Sequence, residues 1–396
     1  MASSDPGVRL TPHHIRCIGF KLHSEPLDIK AELELPPESE WRTAFPPASR
    51  DMKSRVFLQN PKTAAALASA FLGGSVQKKT IESAESRGAV VIEAFPGKLS
   101  PGVLTRALLQ YPPSVIRKLI VLEDVPGYLR YLKGLEGVDS RVVVVPKSGY
   151  EWSTYRDIEK MGLLDDVEQL PWESGVHPDL RFVSHLQQSI HGEQLIAQLL
   201  RYISERSWLY KYGRVEMNIL LGDWVWHRIS AAIGTSTRCK LGVVAEANSH
   251  FKLAAPAERL TPYTSHFFPP PSSLQVGRAG NRRAGHPLVA ASFVPKADPV
   301  ITAATLDKWD FVLRGLFVLK GTSLRKALPT LAAGASNLIG PLTDPDKPEM
   351  RVDVEKKINA LTLEDWSRLL TVFDAWPFAP DMLFISDSLT AKDVRD

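Results

Sequence analysis

From residue 61 onward the apolar positions of the chain fall into two alternating patterns, short continuous runs and longer stretches with helical spacing. Asn60 and Pro61 have the cap and first-turn character of a helix start, and Ala66, Leu67, Ala70 and Phe71 recur at helical intervals. A helix is therefore predicted from Lys62 to Leu72. Gly88 then precedes Ala89-Val90-Val91-Ile92-Glu93, a β-branched run ending in an acid, and a Gly/Pro turn leads to a helical segment at Val103–Leu109. The unit repeats: Lys118–Leu122 ends in Glu123-Asp124 before a helix around Tyr128–Leu135, and Arg141–Val145 ends at Pro146. A fourth strand at Leu180–Ser184 precedes a helix at Gly192–Tyr202. Continuous apolar strands alternating with helices predict an α/β fold whose mostly parallel sheet is covered on both faces.

Beyond Arg214 the pattern turns helical: Met217–Ile233 carries Leu220, Leu221, Trp224, Val225 and Ile229 on one face. A loop, Phe267-Phe268-Pro269-Pro270-Pro271, separates this from an Arg-rich stretch at 278–283 and the apolar segment Leu288–Val294. Helices are predicted at about 305–320, 323–333 and 362–374. The expected organisation is an N-terminal arm over 1–54, rich in Pro, Ser and charge, an α/β domain over 55–212, a mainly helical domain over 213–385 and a tail over 386–396. There is no internal repeat.

Composition changes this picture little. With 396 residues and 44% hydrophobic content, the chain can bury one large domain and a smaller one. A net charge of +4 tilts it toward polyanions without deciding for nucleic acid. Cys17 and Cys239 lie far apart with no ligand spacing, so neither a disulfide scaffold nor a zinc site is expected, and His177, His185 and His191 also lack metal-site spacing. No apolar run approaches membrane-span length; Val142–Val145 has the length of a strand. The first two dozen residues hold one acid, Asp5, against Arg9, Arg16 and Lys21, the sign bias of a mitochondrial presequence, although Pro6 and Pro12 break an amphipathic helix there.

Candidate chemistry sits at the strand ends. A strand ending in an acid, then glycines and a helix, suits an adenosyl group, because backbone must approach the ligand and the helix N-terminus is electropositive. An acid ending the second strand accepts hydrogen bonds from ribose hydroxyls, and Glu123 stands at that position, about thirty residues after Glu93.

The blocks "FLQNPKTAAALASAFL" (57–72), "VIEAFPGKLSPGVLTRALL" (91–109) and "KLIVLEDVPGYLRYL" (118–132) resemble the opening of the ribosomal-RNA adenine N6-dimethyltransferases. The blocks "KYGRVEMNILLGDWVWHRISA" (211–231), "SHFFPPPSSL" (265–274) and "WDFVLRGLFVLKGTSLRKAL" (309–328) are more similar to the fungal mitochondrial transcription factor B branch of that superfamily. The resemblance implies a class I methyltransferase-like, Rossmann-like α/β domain with a smaller C-terminal helical domain. It also implies that Leu58, Gly97, Glu123 and Ser148 stand where the enzymes hold S-adenosylmethionine.

The departures from the enzyme pattern are specific. Where the enzymes carry E-x-G-P-G-x-G, this chain has Glu93-Ala94-Phe95-Pro96-Gly97, so Phe95 replaces a glycine where backbone meets the donor. The third-strand site, an aspartate in the enzymes, falls near Pro146-Lys147-Ser148 without an acid, and the catalytic N-[IL]-P-[FY] loop aligns with His185-Leu186-Gln187-Gln188. Losses of positioning and electrostatic groups lower rates by about two to four powers of ten each.

The expectation is therefore a mitochondrial matrix protein with no catalytic residue and no required cofactor. It would assist a single-subunit mitochondrial RNA polymerase by binding melted promoter DNA in a degenerate methyltransferase cleft. Arg314, Lys320, Arg325 and Lys326, together with Arg278, Arg282 and Arg283, are the expected phosphate contacts; Lys308 belongs to the same interleaved set. The alternative is an S-adenosylmethionine-dependent adenine N6-dimethyltransferase acting on small-subunit ribosomal RNA. A scaffold for ribosome or polymerase assembly is a third reading.

Overall fold

The computed structural model of the protein describes residues 37–40, 43, 56–82, 87–96, 102–271 and 285–380. The expected arm, Gly97, Arg278, Arg282 and Arg283 lie wholly or mostly outside the described residues. A two-residue strand, β1 (Phe57–Leu58), leads into α1 (Pro61–Glu82). The Asn60 side-chain oxygen accepts hydrogen bonds from the Lys62 and Thr63 amides at 2.9 and 3.3 Å, which satisfies two first-turn donors.

Strand and helix then alternate as β2 (Ala89–Ala94), α2 (Val103–Leu109), β3 (Ile116–Leu122), α3 (Pro126–Glu136), β4 (Val142–Val145), α4 (Trp152–Lys160), β5 (Val176–His185) and α5 (Ile190–Glu205). Next come β6 (Arg214–Gly222), α6 (Asp223–Ile229), α7 (Lys240–Asn248), β7 (Ser249–Ala255), β8 (Phe267–Phe268) and β9 (Leu288–Pro295). The helices α8 (Leu306–Phe317), α9 (Leu324–Ala327), α10 (Ile339–Thr343) and α11 (Leu363–Asp374) complete the described strands and α-helices, with short 3-10 turns between them.

A seven-stranded sheet runs in the order β4-β3-β2-β5-β6-β9-β7. The first five strands are parallel, and β9 pairs antiparallel with both β6 and β7. This is the methyltransferase-like, Rossmann-like α/β fold expected from the alternation. Strand order reverses between β2 and β5, and the crevice outside the carboxyl ends of strands at such a switch point is where open α/β sheets bind ligands. Side chains of Val91 and Val183 enter the core on one face of the sheet, and those of Val90, Ile92 and Phe182 enter it on the other.

Three expectations need correction. The α/β domain does not end at residue 212, because β6, β7 and β9 all belong to the same sheet. Met217–Leu221 is also the apolar half of a strand and not the start of a helix; only Asp223–Ile229 is helical. A central strand buried on both faces reads as a continuous apolar run, and when a helix follows without a break the run blends into the helical pattern. The mainly helical unit begins near Ile301, where a separate core forms around Trp309, Leu313, Leu324, Leu338, Trp366 and Phe373, joined by Val243 and Ala247 of α7. Helices near the three expected C-terminal positions are present, as α8, α9 with a following 3-10 turn, and α11. Thr362 and Asp365 form a reciprocal capping box at the start of α11, with both hydrogen bonds at 3.0 Å.

The segment at 267–271, expected as a separator, instead ties the fold together. Phe57 pairs with Phe268 and Leu58 with Phe267, antiparallel. The Gln59 and Asn60 amides donate to the Thr264 and Ser265 carbonyls at 2.7 and 3.0 Å. The start of α1 is thereby fixed against the segment around β8. Among the described residues no helix is long and apolar enough to cross a membrane.

Candidate functional site

Glu93 is the penultimate residue of β2, and Glu123 directly follows β3, its parallel neighbour. Both side chains are buried. The Glu123 carboxylate accepts hydrogen bonds from the amides of Asp124 and Val125 at 3.1 and 3.0 Å, so it is turned onto its own chain. Glu93 accepts the Thr105 hydroxyl at 2.7 Å through one oxygen, while its other oxygen has no partner among the described residues. Burial pushes this carboxyl up to about 7, offset in part by the Thr105 bond. Gly102, which precedes α2, has φ of 78°; a Cβ there would stand 2.8 Å from the Leu132 side chain, so the turn requires glycine.

Phe95 leaves β2 with φ of 61°, in the region L-residues avoid. Its ring is buried and lies 4.2 Å, centroid to centroid, from Tyr150 beyond the end of β4. A Cβ on Gly149 would come within 3.1 Å of that ring and 2.8 Å of the Ala94 Cβ. Rings from the ends of β2 and β4 thus meet across β3, which lies between these two strands. Ser148 is buried, its carbonyl accepting the Thr154 hydroxyl at 2.7 Å, and Lys147 pairs with Asp157. Leu58 is buried within the β1–β8 pair.

His185 ends β5, and its ring lies 6.3 Å from Phe267 of β8. Its Nε2 has no hydrogen-bond partner among the described residues, and burial lowers the imidazole to about 3. Leu186 is buried, and Gln188 donates its amide to the His286 carbonyl at 2.9 Å. A Cβ on Gly192 would stand 2.1 Å from the Gln187 carbonyl, so only glycine lets α5 close this tightly onto the loop. Of the 185–188 side chains only that of Gln187 reaches half-exposure, and none of the four is aromatic.

Of the basic residues expected to meet nucleic acid, those that are described lie on the helical unit, and most are engaged. Arg314 pairs with Asp310 at 3.0 Å, Arg325 with Glu355 at 2.5 Å, Lys308 with Asp374, and Lys320 donates to the Ser236 carbonyl at 2.7 Å. Lys326 is exposed with no ion pair among the described residues. Sequence reasoning passed over Arg351 and Arg368, which line a surface hollow with Arg325; they become neighbours only through packing around α11. His177 is structural: its Nδ1 accepts from the Asp179 and Leu180 amides at 3.1 and 2.9 Å, and its Nε2 lies 2.9 Å from the Glu168 carbonyl. Among the described residues no group of three or more His, Cys, Asp or Glu could hold a metal ion.

Residues 55–373, spanning the sheet and nearly all of the helical unit, match the family model described as ribosomal RNA adenine dimethylase. The chain belongs to that family. Within it, the chain is 26% identical over 301 residues to mitochondrial transcription factor 1 of Lachancea kluyveri, an alignment covering 74% of this chain and 82% of that protein. It is 27% identical over 293 residues to mitochondrial transcription factor 1 of Saccharomyces cerevisiae, covering 72% and 81% respectively. A solved dimethyladenosine transferase from Plasmodium falciparum shares the fold with a TM-score of 0.50 at 15% identity, covering 81% of this chain and 98% of that one. The family's fold is therefore present, while the strand-end positions carry the departures described above.

Proposed function

We propose that the chain is a mitochondrial transcription initiation factor that works in the matrix with a single-subunit RNA polymerase and holds melted promoter DNA without transferring methyl groups. One observation carries this reading: Phe95 and Tyr150 bring their rings together over the strand ends where the family's enzymes cradle a donor. A glycine-lined cradle brings ligand against backbone, and the residues present do not fit S-adenosylmethionine, because buried aromatic carbon stands where backbone should be open. The loop at the end of β5 likewise offers no aromatic to stack on a flipped base. The names of the relatives point the same way. The alternative, dimethylation of small-subunit ribosomal RNA, draws on the family and on the retained Glu123, yet that carboxylate is occupied by its own turn.

Three measurements with purified protein test the proposal. Calorimetric titration with S-adenosylmethionine is expected to give no saturable heat, and radiolabelled methyl transfer to small-subunit ribosomal RNA should stay below one turnover. Addition to the cognate mitochondrial polymerase should raise 2-aminopurine fluorescence at the promoter start site. Multiple methyl turnovers, or no promoter opening, would sink it.

A further inference from the structure

Three arginines converge on a surface hollow of about 550 Å³ in the helical unit, and none of its lining residues belongs to the sheet. They come from three places in the chain: Arg325 from α9, Arg351 from the segment between α10 and α11, and Arg368 from α11. Two of them are fixed by local bonds. Arg368 donates through Nη1 to the Arg351 carbonyl at 2.9 Å and through Nη2 to Glu364 at 2.5 Å, and Arg325 holds Glu355 through Nε. The two Nη groups of Arg325 and the whole guanidinium of exposed Arg351 make no hydrogen bond among the described residues.

Guanidinium forks match carboxylates and phosphates alike, so the charges around the hollow decide between them. Asp353 and Glu355 line it, and Asp346 and Glu349 stand within two residues of Pro348, which also lines it. All four acids are exposed, and of them only Glu355 is in an ion pair among the described residues. Lys347 is the single cation between Asp344 and Met350. A nucleic-acid strand carries a charge at every nucleotide and would set neighbouring phosphates against these carboxylates. A protein segment need not. One Asp or Glu can enter among the arginines while Lys or Arg beside it meets the acidic rim.

We propose that this hollow docks a mixed-charge protein segment, with an acidic side chain seated among Arg325, Arg351 and Arg368 and basic neighbours set against Asp346, Glu349 and Asp353. The partner is the polymerase, a choice that rests on the initiation reading above. The hollow serves protein contact and leaves DNA to other surfaces.

Two charge reversals of opposite sign test it, Arg351→Glu and Glu349→Lys, with Lys326→Glu as a control on the same unit outside the hollow. All three side chains are exposed, so thermal midpoints should not move. Binding of each full-length variant to the cognate polymerase without DNA is measured by bio-layer interferometry, and binding to a fluorescent single-stranded DNA 12-mer by anisotropy. Both reversals at the hollow are expected to weaken polymerase binding, Arg351→Glu by about tenfold and Glu349→Lys by about threefold, while Lys326→Glu matches wild type. Their single-strand affinities should stay within about twofold of wild type. Wild-type polymerase binding by Arg351→Glu, or an equal loss in Lys326→Glu, would overturn the proposal. So would single-strand binding that Arg351→Glu weakens and Glu349→Lys tightens, which would assign the hollow to phosphate. Promoter opening by the wild-type protein is scored in parallel. If it opens the promoter while both reversals bind polymerase normally, only the hollow fails; if it neither binds nor opens, the initiation reading falls with it.

Discussion

At the residue scale, Glu93 and His185 occupy neighbouring strands at the switch point, and both are buried titratable groups with an unpartnered atom among the described residues. Their effects on stability have opposite signs. Glu93 is raised from 4.5 to about 7, so the folded state holds its proton more tightly, and stability falls as pH rises through that interval. His185 is lowered from 6.5 to about 3, so stability is lost as pH falls below 6.5. In wild-type protein the two slopes oppose each other near pH 5–6. Glu93→Gln should therefore gain stability over wild type by up to about 1.4 kcal/mol per pH unit between about pH 4.5 and 7. His185→Leu should show the reverse, with its relative gain larger at about pH 5 than at pH 7.5. Urea midpoints at these two pH values check both, and parallel profiles for all three proteins would contradict the assignment. The strand-end acids were legible in the sequence because a strand, turn and helix are local. The Phe95–Tyr150 contact was not, since it depends on β4 lying two strands from β2.

At the scale of elements, the first half of the sheet was legible because each parallel strand is bounded by a turn residue and followed by a helix of opposite periodicity. The second half was obscured where β6 runs directly into α6 at Asp223, and where β1 and β8 are too short to leave a pattern. The same limit affected the basic residues, whose pairing with acids depends on tertiary contacts. Each phosphate contact contributes nearly one unit to the slope of log affinity against log salt. Arg314 and Arg325 already hold carboxylates, and Lys320 holds a carbonyl. Replacing Arg314, Lys320, Arg325 and Lys326 together by Ala is thus expected to flatten the slope for pre-melted promoter DNA by about one unit, through Lys326, and not by four. Fluorescence anisotropy across a salt series measures this. A change near four units would mean the local pairs open when DNA binds.

At the scale of the whole molecule, the question is what sets the helical unit on the sheet domain. Apolar contact contributes through Val243 and Ala247 of α7, which enter the helical unit's core. Asp310 of α8 adds a charged clasp: Lys240 of α7 and Arg314 of α8 pair with it, and Arg201 of α5 approaches to 3.8 Å. Its side chain is only 10% exposed, whereas the cations reach solvent at 29–44%. Asp310→Asn would leave three cations gathered without their shared anion. A fully buried broken pair costs about 3–5 kcal/mol, and solvent access to the cations reduces this to about 1–2 kcal/mol. Asp307 provides the control, because it pairs with Arg201 at 3.0 Å from a side chain that is 68% exposed, and Asp307→Asn should cost less than about 0.5 kcal/mol. The loss at Asp310 should fall on the junction between the two units. Scanning calorimetry should therefore show the Asp310→Asn transition broadening or splitting, with the Asp307→Asn transition single. If the two variants melt alike, the apolar seam around α7 alone sets the arrangement and the clasp is incidental.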